Sequence, residues 1–209
     1  MSDNLVLMRM PLGSYGTNCY VLGDKSVGKA FIIDPGTSEV MQSLEKHELT
    51  PEAILLTHGH HDHIGGIQGI LKDYNIPVYI HKADADYLHN PALNLSEYSA
   101  SPIRIDGDIR LVKEGDTLNC GDITVNVLET PGHTPGGVCY IMEGLIFAGD
   151  TLFRDSIGRT DFDGGDYDTL IQAIQNKLYT LPESTMVYPG HGPETQISYE
   201  KQYNPFVTA

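Results

Sequence analysis

Four apolar runs in this chain stop abruptly at a histidine or an aspartate: "AILLTH" ending at His58, "VNVLETPGH" at His133, "LIFAGD" at Asp150 and "MVYPGH" at His191. Each run is rich in β-branched and aromatic residues, the composition of a strand. A polar side chain delivered to the end of a buried strand is costly unless it is paired. Any fold open to this chain must therefore gather these strand ends where their imidazoles and carboxylates satisfy one another or a ligand. Loops at strand ends, carried on a rigid sheet, commonly bear binding residues.

Further strand-like runs are "LVLMRM", "CYVLG", "AFIID", "VYIHK", "ITVNVLET" and "GVCYIM". Between them lie segments with helical spacing: "SEVMQSLEKH" from Ser38, "IGGIQGILKDY" from Ile64 and "DYDTLIQAIQNKL" from Asp166. In the last of these Leu170, Ile171, Ile174 and Leu178 share one face. Ser38 and Asp166 are the expected N-caps. No low-complexity linker, Gly/Ser hinge or charge block divides the chain, so a single mixed α/β domain is expected over residues 1–209.

The first of the four strand ends opens "THGHHDHIGG", in which His58, His60, Asp62 and His63 follow the pattern H-x-H-x-D-H. Composition alone would produce that spacing roughly once in a thousand chains of this kind, so the spacing carries information. With His133, Asp150 and His191 it makes a candidate set of seven metal ligands. Imidazole and carboxylate donors suit zinc, with iron or manganese as alternatives. Seven are too many for one tetrahedral ion, whereas two ions sharing a carboxylate would use them all. His61 fills the variable position of the pattern and is not expected to bind metal. His47, His81 and His89 are read as ordinary solvated or hydrogen-bonded histidines. Asp34, in "IIDPG", either holds a ligand histidine by a hydrogen bond or forms a turn before Pro35, and Thr57 is placed in the same way.

Together with "GTNCYVL", "IIDPG", "GDTLNCGDITVNVLETPGHTPGG", "IFAGDTLF", "SIGRTDFDGGD" and "YEKQYNPF", these motifs resemble the metallo-β-lactamase superfamily, and within it the hydroxyacylglutathione hydrolase (glyoxalase II) branch. The resemblance covers nearly the whole chain. It implies an αβ/βα four-layer sandwich of two mixed β-sheets flanked by helices, with the site on the sandwich edge. It implies that His58, His60 and His133 take one metal, that Asp62, His63 and His191 take the other, and that Asp150 bridges them. The expected activity is hydrolysis of a hydroxyacyl thioester such as S-lactoylglutathione by a metal-bridging hydroxide, which Asp62 would help to orient. Arg159 stands where the branch has a basic glutathione contact, so it is either an anion-binding residue or the ion-pair partner of a neighbour such as Asp161.

Departures from the family pattern narrow this reading. The chain has Asp150 where zinc β-lactamases of the main branch have a cysteine, which lowers the lactamase reading. It has Asp161 and Pro193 where full-length glyoxalase II enzymes have glutathione-contacting tyrosines, and it ends about 18 residues after His191, where those enzymes continue into a helical domain. It therefore resembles the shorter bacterial forms. A persulfide dioxygenase of the same superfamily, using one iron at His58, His133 and Asp150, is the main alternative. A lactonase or other ester hydrolase is the next.

Charge and cysteine content bound the partners. Against 28 acidic residues stand 13 basic ones, a formal charge of -15 that repels nucleic acid and anionic membranes. The expected partner is a small anionic thioester, drawn by the local positive charge of the metals. Oligomeric state is not read from the sequence. Cys19, Cys120 and Cys139 show no metal-ligand pairing and no disulfide framework. With no signal-peptide pattern at the start, they point to a cytoplasmic protein. Cys19 and Cys139 are expected to be buried small residues rather than nucleophiles.

Overall fold

The computed structural model describes residues 4–208. One sheet has the spatial order β1 (Leu5–Leu12), β2 (Thr17–Asp24), β3 (Lys29–Ile33), β4 (Thr50–Leu55), β5 (Val78–His81) and β6 (Ile109–Val112). β1 to β3 form an antiparallel meander, and β3 to β6 are parallel. Parallel neighbours need crossover connections. These are supplied by α1 (Val40–Lys46) between β3 and β4, and by α2 (His61–Ile64) and α3 (Ile67–Leu71) between β4 and β5.

The second sheet is built from β7 (Thr117–Cys120), β8 (Ile123–Glu129), β9 (Val138–Met142), β10 (Leu145–Gly149), β13 (Met186–Pro189) and β14 (Thr195–Gln196). β8 and β10 both run antiparallel to β9, and β10 runs parallel to β13. All three therefore point the same way, and their carboxyl ends deliver His133, Asp150 and His191 to one edge. A small hairpin, β11 (Leu152–Phe153) and β12 (Ser156–Ile157), follows Asp150. Two further helices, α4 (Tyr167–Ala173) and α5 (Ile197–Tyr203), belong to the second half of the chain.

Side-chain alternation explains the layers. On β2, β3 and β4 the residues Tyr20, Leu22, Phe31, Ile33, Ala53 and Leu55 face Val125, Val127, Val138, Tyr140 and Phe147 of the other sheet. The opposite parity, Cys19, Val21, Ala30, Ile32 and Ile54, packs on Val40 and Leu44 of α1 and on Ile67 and Ile70 of α3. Behind the second sheet, Cys139, Ile146, Ala148 and Val187 meet Leu170, Ile174, Leu178 and Ile197. The result is helices, sheet, sheet, helices, the four-layer sandwich that the family resemblance implies. Strands buried on both faces must read as continuous apolar runs, which is why they were legible.

The helices depart from expectation in detail. Asp166 caps α4 by accepting the Thr169 N–H at 2.7 Å, but Ser38 does not cap α1. Glu39 occupies that place without a side-chain bond, because Ser38 is turned against Gly69 of α3, where an added Cβ would lie 2.9 Å from its hydroxyl. The segment expected as one helix from Ile64 is two, α2 and α3, separated by Gly65 and Gly66. α4 continues as a π-helical turn over Ile174–Leu178, with Leu170, Ile174 and Leu178 buried and Ile171 half-buried against the same cluster. No helix among the described residues is long and apolar enough to cross a membrane.

Candidate metal centre

All seven residues singled out at the strand ends and in the H-x-H-x-D-H stretch converge on one point. His133 Nε2 lies 2.9 Å from His60 Nδ1 and 3.2 Å from His58 Nε2. Edges of that length suit a tetrahedral ion, for which zinc–nitrogen bonds of about 2.0–2.1 Å imply donors roughly 3.3 Å apart. Beside this triad, Asp62 Oδ2 lies 3.5 Å from His63 Nε2 and 3.2 Å from His191 Nε2. Asp150 stands between the two sets. Its Oδ2 is 3.5 Å from His133 Nε2 and 3.6 Å from His191 Nε2, and its Oδ1 is 3.4 Å from His63 Nε2. In each triplet, His58, His60 and His133 or Asp62, His63 and His191, the donor atoms fall within 4.8 Å of one another. His61 is outside both. Its ring packs edge-on against Tyr15 at 5.1 Å.

For His58, His63 and His133 the surroundings decide which ring nitrogen is free. His63 Nδ1 is 3.0 Å from Asp34 Oδ2; a carboxylate only accepts, so that ring donates through Nδ1 and aims the Nε2 lone pair into the cluster. His133 Nδ1 donates to the Arg159 carbonyl at 2.7 Å, with the same consequence. For His58 the link is indirect. The Thr57 hydroxyl donates to Asp34 Oδ2 at 2.6 Å and accepts from His58 Nδ1 at 3.1 Å, while the Thr57 N–H donates to Asp34 Oδ1 at 2.8 Å. Asp34 thus orients a ring from each set, directly or through Thr57. Its backbone φ of 51° lies in the left-handed region, which aspartate tolerates better than most residues.

Electrostatics fit a cation. Burial first, and then the neighbouring imidazoles, push His58 down and His60 down to about 3, so both rings are neutral at pH 7 with lone pairs to give. Burial would raise Asp62 and Asp150, but the His63 ring beside them prevails and holds both below the usual carboxylate range. Burial would likewise lower His63 and His191, yet the carboxylates of Asp62 and Asp150 raise them. Positive charge is therefore favoured at this end of the cluster, and a divalent ion would compete with protons for it. His63 Nε2 and Asp150 Oδ1 are buried with no hydrogen bond, facing each other at 3.4 Å. Buried polar atoms so loosely paired are costly, and coordination removes that cost. The donor set and these two atoms fit a pair of metal ions.

Above the cluster is a cleft of about 160 Å³, walled by Tyr15, Leu95, Phe162 and Arg159 over His60, Asp62, His133, Asp150 and His191. That is less than the roughly 300–1,000 Å³ of a pocket that engulfs a small-molecule ligand, so only the reacting end of a substrate fits inside. Arg159 makes the ion pair weighed for it. It lines the cleft, and its guanidinium makes paired bonds of 2.8 and 2.7 Å to Asp161 while lying 4.0 Å over the Phe162 ring. The ion pair is exposed and worth little by itself.

Sequence reasoning missed the supports on β2. The Thr17 hydroxyl donates to Asp62 Oδ2 at 2.7 Å. Asn18 holds the loop of His191 by donating through Nδ2 to the carbonyls of Pro189 and Gly192 at 2.9 and 2.8 Å. Both lie in "GTNCYVL", which contributed only to a resemblance; nothing in its composition marks those two side chains. Tyr15, Leu95 and Phe162 carry no signal beyond being apolar.

The profile of the metallo-beta-lactamase superfamily matches residues 12–191. The chain belongs to that superfamily. Among its superfamily relatives is the probable metallo-hydrolase YqgX of Bacillus subtilis, 41% identical over 95% of this chain and 96% of its own. Another is the hydroxyacylglutathione hydrolase GloC of Haemophilus influenzae, 33% identical over 96% and 97% respectively. Similar solved structures include the BLEG-1 B3 metallo-beta-lactamase, with a TM-score of 0.91 and 44% identity over 98% of this chain and all of that one. TTHA1623 in a di-iron-bound form superposes with a TM-score of 0.82 and 32% identity over 96% of this chain and all of its own.

Proposed function

We propose that this superfamily member is a dinuclear metal-dependent thioesterase that hydrolyses small hydroxyacyl thioesters such as S-lactoylglutathione. The observation that carries the proposal is Asp150, whose two oxygens face the two histidine sets at the floor of the cleft. His58, His60 and His133 would hold one ion, and Asp62, His63 and His191 the other. When bound, such a pair supplies a water acidic enough to attack at neutral pH and a Lewis acid for the acyl oxygen. The protein does the rest. Asp62, kept ionised and fixed by Thr17, would accept a hydrogen bond from the attacking water and so orient it. Tyr15, Leu95 and Phe162 exclude bulk water from the acyl group, and Arg159 offers its charge to an anionic tail lying outside the cleft. A thiolate, from a thiol of pKa about 8.5, leaves without obligatory protonation, so the lack of a general acid is tolerable. All three cysteines are buried, which leaves no protein thiol to act as the nucleophile. The likeness to GloC, over almost the full length of both chains, supports the substrate class.

The test is S-lactoylglutathione hydrolysis measured beside metal content, with His58→Ala and Asp150→Ala as controls. The expected result is two metal equivalents and thioester turnover that both variants abolish. Because a di-iron form exists among similar structures, iron alone does not favour the persulfide dioxygenase. One iron per chain with oxygen uptake on glutathione persulfide would overturn the thioesterase reading. Likeness to BLEG-1 brings back the lactamase reading, so a chromogenic cephalosporin belongs in the same panel. Faster turnover of that compound than of any thioester would overturn the proposed substrate class.

A further inference from the structure

Asp84 lies outside every motif read from the sequence. It sits in the 3-10 turn Lys82–Leu88 after β5 and is 0% exposed. Its Oδ2 accepts from the Gly59 N–H at 3.2 Å and from the Thr134 hydroxyl at 2.7 Å, and its Oδ1 accepts from the Gly136 N–H at 2.7 Å. Gly59 separates His58 from His60, and Thr134 follows His133. A single carboxylate therefore joins the two loops that carry the triad His58, His60 and His133. None of its hydrogen bonds goes to the other set, Asp62, His63 and His191.

Close packing ties the turn to both loops. A Cβ added at Gly136 would lie 2.6 Å from Asp84 Oδ1, and one added at Gly59 would lie 2.3 Å from Tyr87 Cβ in the same turn. Burial pushes the Asp84 carboxyl up, while the three hydrogen bonds oppose that rise. A buried carboxylate is costly to keep, and these donors are what offset the cost.

We propose that Asp84 is a positioning residue for the first metal site, setting the separation of His133 from His58 and His60 without touching the other site. The inference rests on the two-site reading of the cluster. An asparagine at this position can accept from only one side. With its oxygen toward Gly136 and its amide toward the Thr134 hydroxyl, which can turn to accept, the Gly59 N–H is left without a partner. The loop of His58 and His60 would then be the part set free.

The full-length chain, loaded with zinc, is challenged with a chromophoric chelator, and the two release equilibria are measured. His60→Ala identifies the first-site equivalent and His191→Ala the second. The expected result for Asp84→Asn is a first-site affinity lowered about 10- to 100-fold, the usual range for losing a group that orients ligands, with the second site unchanged. Thr134→Val, which keeps the buried charge, should weaken the same equivalent by less and decides the matter should Asp84→Asn fail to fold. In the cobalt-loaded chain the visible absorption assigned to the first site should change in both variants. Equal weakening of both equivalents, or wild-type affinities in a folded variant, would overturn the proposal. Fewer than two equivalents in the wild-type chain would overturn the two-site reading itself, and the proposal with it.

Discussion

Asp34→Asn tests how far one buried acceptor controls this site. The substitution suits the backbone, because asparagine shares aspartate's tolerance of the left-handed φ of 51° found there. Its oxygen can keep the Thr57 N–H bond made by Oδ1 at 2.8 Å. Its amide group then replaces Oδ2, which now accepts from the Thr57 hydroxyl at 2.6 Å and from His63 Nδ1 at 3.0 Å. The hydroxyl can adjust, since it has two lone pairs and can accept from the amide as well as from His58. His63 has no such freedom. Its Nδ1–H would face an N–H, and relief requires moving the ring proton to Nε2, the atom that faces Asp62 and Asp150. Coordination by Nε2 then requires restoring the strained tautomer, with one buried donor unpaired at about 1–3 kcal/mol. That converts to roughly 5- to 150-fold in affinity at about 1.4 kcal/mol per tenfold. Chelator competition on the zinc-loaded chain should show the second-site equivalent weakened within that range, with circular dichroism unchanged. Second-site affinity within twofold of wild type would refute the claim that Asp34 sets the tautomer.

Gly190→Ala would place a Cβ 2.2 Å from Asp150 Oδ1 and 2.8 Å from His63 Cε1, so it should cost metal binding and turnover even where the fold survives; two bound equivalents by elemental analysis would contradict this. The thiols should be inert in the native protein, because burial pushes Cys139 up to about 11, Cys120 up to about 12 and Cys19 upward as well. With a disulfide reagent at pH 8 no thiol should react until denaturant is added, and rapid titration of even one in the folded chain would show that burial does not protect it.

Much of this was legible because the chemistry demands particular residue types. Metal ligands must be imidazole or carboxylate, and strands buried on both faces must be apolar throughout, so "AILLTH" or "LIFAGD" announces both at once. β6 and β7 escaped notice because "IRLV" and "TLNC" are four residues long and partly polar. The break between α2 and α3 was hidden for another reason. Added Cβ atoms at Gly65 and Gly66 would meet the Gly36 oxygen at 2.5 Å and the Thr37 carbonyl carbon at 2.3 Å, a close approach between segments about 30 residues apart.

The supports of the centre were the least legible part. Thr17, Asn18 and Asp84 act through hydrogen bonds to residues 45, 171 and 50 positions away, respectively Asp62, Pro189 and Thr134. A hydrogen bond needs only a donor and an acceptor, so it leaves no spacing to recognise. The amino-acid sequence by itself determined the ligand chemistry and the strands that deliver it, since both are properties of residue type and local order. Only the tertiary structure decided which nitrogen of His58, His63 and His133 is free, that Thr17, Asn18 and Asp84 support the ligand loops, and that Arg159 pairs with Asp161 at the cleft. Those depend on directions and on distances of a few ångströms between chain segments, which are set when the two sheets close on each other.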